Sequence, residues 1–186
     1  MIRVCSLIAV AALTIVGCGD GSPSTRSVTD GSSNGGTGSS LSPRFCSMTL
    51  SGAVSGTFSC DLVMGVWGSE KDRGAITLSY NILGASGLKA MASVGFVGEP
   101  ATKTYSNSDA DANGGLNVVD GQSVWATVTG KSNSLGSYTM TVTSVTPAET
   151  QPNGKSYRVA GTLKATLTPA AGTAASGTVT MVAEFH

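Results

Sequence analysis

The sequence predicts an all-β protein, an antiparallel β-sandwich or flattened barrel of about eight short strands, on three observations. From Phe45 to the C-terminus, apolar and polar residues alternate with a period of two in one segment after another. No stretch longer than about ten residues sustains a 3.6 period, because Gly and Thr interrupt every candidate helix. Turn residues recur at the spacing that short strands require. The competing architecture is an open sheet backed by one short helix, for which 85–94, ASGLKAMASV, is the candidate.

Met48 and Leu50, then Phe58, Leu62, Met64 and Val66, outline two strands around Val54-Ser55-Gly56. The run Glu70-Lys71-Asp72-Arg73 cancels its own charge and reads as a solvated hairpin loop. Ile76, Leu78, Tyr80 and Ile82 then alternate with Thr77, Ser79 and Asn81. Asp120-Gly121 is a ready type I′ turn between strands at 116–119 and 122–129. Tyr138, Met140 and Val142 alternate with threonines. The clearest pattern is at the end of the chain, where the odd positions of 157–167 and then Val179, Met181, Ala183 and Phe185 are apolar or small. With PAAGTAASG between them, these two segments predict an antiparallel hairpin, one face buried and one wet.

Ahead of this domain, Met1-Ile2-Arg3 and the 13-residue apolar run Val4–Val16 have the form of a secretory signal. The run is too short to span a hydrocarbon core as a helix, which takes about 20 residues. Ile15-Val16-Gly17-Cys18 resembles the lipobox of bacterial lipoproteins, with Ile15 where Leu is favoured. That resemblance implies cleavage after residue 17 and a diacylglyceryl group on the Cys18 sulfur. It also implies acylation of the new amino end, with palmitate as the expected type of chain. A plain secretory signal with an incidental Cys18 is the simpler alternative. Two or three acyl chains hold a protein on a membrane far more firmly than one.

From Gly19 to Arg44 the chain reads GDGSPSTRSVTDGSSNGGTGSSLSPR, 26 residues with almost nothing apolar to bury. This composition predicts a flexible linker with an r.m.s. reach of about 25–30 Å. The expected organisation is a lipoprotein signal peptide over 1–17, a lipidated Cys and linker over 18–44, and a β domain over 45–186.

Of the four cysteines, Cys5 leaves with the signal and Cys18 is committed to lipid. Cys46 and Cys60 remain in the folded part, in the apolar register of their strands and in an oxidising compartment, so a disulfide is expected. Aromatic residues make up 5% of the chain, which leaves a core of Val, Leu, Met and Ala that a crosslink would help.

The 11 basic and 11 acidic residues give no net charge and no block of one sign, which excludes electrostatic binding to nucleic acid. With 12% charged residues against 48 Ser plus Thr, the surface is neutral and rich in hydroxyls. The only His is the terminal His186, so neither a Ser-His-Asp nor a Cys-His arrangement can form inside the domain, and no four-ligand zinc site is in prospect. GxSxG, HExxH and phosphate-cradling glycine loops do not occur.

Asp109-Ala110-Asp111-Ala112-Asn113-Gly114 fits the opening of an EF-hand loop, and Asp120 falls at its twelfth position. Weak Ca²⁺ binding by Asp109, Asp111, Asn113 and Asp120 is one reading. The extended flanks and the competing use of Asp120 in a turn favour an ordinary loop. For Trp67 and Trp125, alternation places the indole opposite the presumed core side of its neighbours, as a stacking platform for a sugar ring would be. Large aromatics in a sandwich also plug the core or cap its rim.

The domain resembles short, uncharacterised bacterial lipoproteins built from a cysteine-closed first hairpin, here Cys46 to Cys60, and a central Trp strand, here Trp125. Gly136-Ser137-Tyr138 and a final Tyr157-to-Phe185 hairpin, with Gly161-Thr162-Leu163 and Gly177-Thr178-Val179, complete the resemblance over most of 45–186. It implies a fold and no activity. The expectation is therefore a lipid-anchored protein of the bacterial cell envelope with a non-catalytic binding or structural domain. Its partners would be membrane lipid and a protein or glycan. A calcium-dependent or carbohydrate-binding module is the alternative, and a carboxylate-based hydrolase a third.

Overall fold

Alternation turns into strand along the whole domain. The computed structural model describes residues 45–84, 87–128 and 136–186, so the expected signal, Cys18 and the linker lie outside the described residues. Within them the chain forms eleven strands and no helix: β1 (Cys46–Gly52), β2 (Gly56–Ser59), β3 (Leu62–Gly68), β4 (Arg73–Tyr80), β5 (Lys89–Val97), β6 (Thr104–Ser106), β7 (Ala112–Asp120), β8 (Ser123–Val128), β9 (Ser137–Gln151), β10 (Gly154–Pro169) and β11 (Val179–Phe185). The expected count of about eight is too low because β2 and β6 are too short to show a period. The segment weighed as a helix contributes instead to β5, whose residues alternate between half-buried and buried from Lys89 to Phe96.

All pairings are antiparallel, and one continuous sheet folds over on itself into two layers. One layer runs β2-β1-β11-β10-β9-β6 and the other β3-β4-β5-β7-β8. The 16-residue β10 belongs to both, since Gly154–Tyr157 pair with Gly68–Gly65 of β3 while Thr168 and Pro169 pair with Ala126 and Trp125 of β8. Two register shifts against β9, at Ser156/Tyr157 and Ala160/Gly161, bend the β9–β10 hairpin. The first shift brings Pro147 opposite Tyr157, where β9 has no further strand beside it among the described residues. A proline and a bulge on such an edge discourage pairing with another chain.

A single core lies between the layers, and every strand except β2 contributes to it. The odd positions of 157–167 and Val179, Met181, Ala183 and Phe185 point inward as the alternation predicts. So do Tyr138, Met140 and Val142, together with Met48, Leu50, Ile76 and Leu78. β4 ends at Tyr80, which leaves Ile82 on an exposed turn.

Two strands face the other way from expectation. In β3 it is Val63 and Gly65 that are buried, with Leu62, Met64 and Val66 half-buried. Both faces of this strand are apolar, so its period is ambiguous, and packing decides: a Cβ on Gly65 would lie 2.9 Å from Val159 Cγ1 and 3.2 Å from Tyr157 Cβ. In β8, Trp125 and Thr127 are buried while Val124 and Ala126 are not. The β7–β8 turn is also shifted by one residue. Asp120 pairs with Ser123, so the central residues are Gly121, at φ 57°, and Gln122.

Cys46 and Cys60 form a disulfide with Cα atoms 5.2 Å apart. The Cys60 amide also donates to the Cys46 carbonyl at 3.0 Å, so the crosslink reinforces the place where the chain leaves β2 for β3.

Candidate binding groove

A concavity of about 680 Å³ opens where the β9–β10 hairpin meets β3. Trp67, Met64 and Val66 line it from β3, Thr146 to Glu149 and Gln151 from β9, and Asn153 to Arg158 from the hairpin turn and β10. Local sequence explains its shape. The two-residue connection Pro152-Asn153 closes the hairpin, and the bulge at Ser156/Tyr157 curls it. At Gly154 a Cβ would fall 2.4 Å from the Trp67 carbonyl, so only glycine lets β10 approach the end of β3 this closely.

Trp67 shares its face of β3 with Val63 and Gly65 and packs partly against the core at the rim of the groove. Its Nε1 donates to Asp72 Oδ1 at 2.9 Å, and Lys155 Nζ lies 5.4 Å from the ring centroid. Asp72 sits at φ 45° in the β3–β4 turn, a left-handed conformation that Asp tolerates better than most side chains. Lys155 Nζ reaches Glu99 Oε1 at 2.7 Å, and the Tyr157 hydroxyl donates to Glu99 Oε2. The carboxyl of Glu99 is held below its ordinary range by Lys155 first and Tyr157 second. Burial pushes the Tyr157 phenol up to about 12, and the Glu99 carboxylate adds to this.

The groove therefore offers one anchored indole, the cations of Lys155 and Arg158, the carboxylate of Glu149 and a rim of amides and hydroxyls. It can hold a ligand by stacking and hydrogen bonds. At its edge Glu99, Lys155 and Tyr157 are tied to one another, with the Glu99 carboxyl held below and the Tyr157 phenol above its ordinary range, both away from the neutral pH at which a proton shuttle works.

The residues singled out in the sequence are placed as follows. Trp67 is in the groove. Trp125 is in the core at 5% exposure, its Nε1 donating to the Ser176 carbonyl at 3.3 Å, so it plugs the sandwich and presents no ring face to solvent. The four calcium candidates are not brought together. Asp109 Oδ2 accepts from the Ser106 amide at 2.8 Å, and the Asp111 carbonyl accepts from Val97 N at 3.2 Å. Asn113 pairs with Gly95 inside β7, and Asp120 ends the same strand. Seven residues of strand separate those two by about 23 Å, too far for one ion. Among the described residues no group of three His, Cys, Asp or Glu could hold a metal, and no helix is long and apolar enough to cross a membrane. Sequence reasoning missed Glu99, Lys155 and Tyr157, which stand apart in the chain and carry no motif.

Comparison with protein-family models, with curated proteins and with solved structures finds no match.

Proposed function

We propose that this is a lipid-anchored protein of the bacterial cell envelope, held through acylated Cys18, whose β-sandwich binds a ligand without catalysis in the groove beside Trp67. The observation that carries the binding reading is that groove: about 680 Å³ lined by an indole and by charged and amide side chains of both signs. The lipobox at 15–18 supports the anchor. In detergent phase separation the mature protein is expected in the detergent phase and the Cys18→Ser variant in the aqueous phase or unprocessed. A processed Cys18→Ser chain that stays wholly with detergent rules out the anchor.

The chemistry of the lining favours a glycan. Trp67 supplies an aromatic surface, and Gln151, Asn153, Ser156 and Arg158 supply donors and acceptors for ring hydroxyls. Oligosaccharides titrated against the protein should quench or shift Trp67 emission, and Trp67→Phe should remove that response while Trp125 keeps its own. A panel of envelope glycans that leaves the emission unchanged rejects the glycan reading.

A further inference from the structure

We infer that the edge of the domain carrying Phe45, Ile82 and Leu83 docks onto the lipid surface, an inference that rests on the anchor reading and extends it. Five large apolar side chains are exposed among the described residues, and three of them gather at this edge: Phe45 at 47%, Ile82 at 39% and Leu83 at 96%. A chain of contacts joins them. Phe45 precedes Cys46, Cys46 is bonded to Cys60, and the Asp61 carboxylate accepts from the Asn81 amide just before Ile82.

The turn at 81–84 that follows β4 is braced. Asn81 takes φ 51°, its Nδ2 donates to the Leu88 carbonyl at 3.0 Å, and the Gly84 amide returns to the Asn81 carbonyl at 3.1 Å. Ile82 and Leu83 project from the turn that this bond closes.

The choice of a lipid surface as occupant follows from where the chain outside the structure joins the domain. The 26 residues between Cys18 and Phe45, with an expected reach of about 25–30 Å, enter at this same edge. Two or three apolar side chains bind a bilayer weakly by themselves. An acyl anchor at that distance raises their effective concentration at the surface, so that weak insertion becomes a preferred orientation. Arg44 and Lys89, the nearest basic residues in the chain, leave a single net positive charge against Asp61, worth only about 1 kcal/mol at an anionic surface, so insertion rather than attraction to anionic lipid drives the docking. β3 runs from beside this edge, at Leu62, to Trp67 of the groove, about 17 Å along the strand, so the indole end of the groove stands away from the edge and open to soluble ligands.

The test uses the full lipidated chain in phosphatidylcholine vesicles. With Cys18 acylated and Cys46–Cys60 bridged, Leu83→Cys and Asn153→Cys each add one free thiol for a nitroxide label. The label at 83 is expected to relax at least threefold more with oxygen dissolved in the lipid than with an aqueous nickel chelate, and the label at 153 in the reverse order. Two labels equally open to the aqueous reagent overturn the docking, even if phase separation of the Cys18→Ser variant upholds the anchor. A processed Cys18→Ser chain that stays with the membrane overturns the anchor instead, whatever the labels report.

Discussion

Gly114 of β7 lies directly beneath the ring of Tyr138 of β9: a Cβ built on it would fall 2.3 Å from Tyr138 Cε1 and 2.8 Å from Cζ. The two residues come from opposite layers, so here the two layers pack in direct contact. In the sequence Gly114 looks like the bend of a calcium loop. In the fold it is the space that a buried tyrosine occupies.

Gly114→Ala should therefore force the layers apart and cost about 1–3 kcal/mol, the usual penalty for overpacking a core. Urea denaturation with an unchanged m-value would show it. The Tyr138 hydroxyl is buried without a hydrogen-bond partner among the described residues, and burial raises its pKa to about 12. Tyr138→Phe, which removes that oxygen, should be neutral or stabilising by about 1 kcal/mol. A loss of more than 1 kcal/mol would mean that the hydroxyl has a partner.

Opening the disulfide should cost more. The Cys46–Cys60 bridge spans a sequence separation of 14 residues. In the chain-entropy account a loop of that size is worth about 3 kcal/mol. The melting temperature of the Cys46→Ala/Cys60→Ala variant, compared with that of the oxidised protein, measures it. An unchanged midpoint would show that the β1–β2 connection is not restrained by the bridge.

The Glu99–Tyr157 pair predicts how stability varies with pH. Glu99 has a folded pKa below its unfolded value of 4.5, so its contribution is complete above that pH and fades as pH falls through the lower folded value. Tyr157 is shifted the other way. Its contribution is complete below pH 10 and is lost as pH rises through about 12. Glu99→Gln should flatten the acid limb of a melting-temperature profile and leave the neutral plateau slightly lowered, because one neutral amide oxygen replaces the two charged acceptors of Lys155 and Tyr157. Parallel acid limbs in both proteins would contradict the assignment.

Ca²⁺ should leave the melting temperature where EGTA leaves it, because Asn113 and Asp120 stand at opposite ends of one strand. Asp109→Ala should still cost about 0.5–2 kcal/mol, through the lost bond from Asp109 Oδ2 to the Ser106 amide. A Ca²⁺-dependent rise abolished by Asp109→Ala would reverse this reading.

Residue pattern by itself determined the all-β class, the inward faces of β9, β10 and β11, and the partnership of Cys46 with Cys60. In those strands one face is apolar and the other mostly polar, with Thr, Lys, Arg or Glu, so solvent permits one orientation. Tertiary structure alone decided the faces of β3 and β8, whose apolar residues lie on both sides and could satisfy either register. There the choice fell to neighbours distant in the chain, Tyr157 and Val159 over Gly65 and the Ser176 carbonyl at Trp125. The groove was hidden for the same reason. Glu99 and Lys155 lie 56 residues apart and meet only because β10 pairs with β3. A period of two records which side of a strand is wet; it carries no information about which strand will lie beside it.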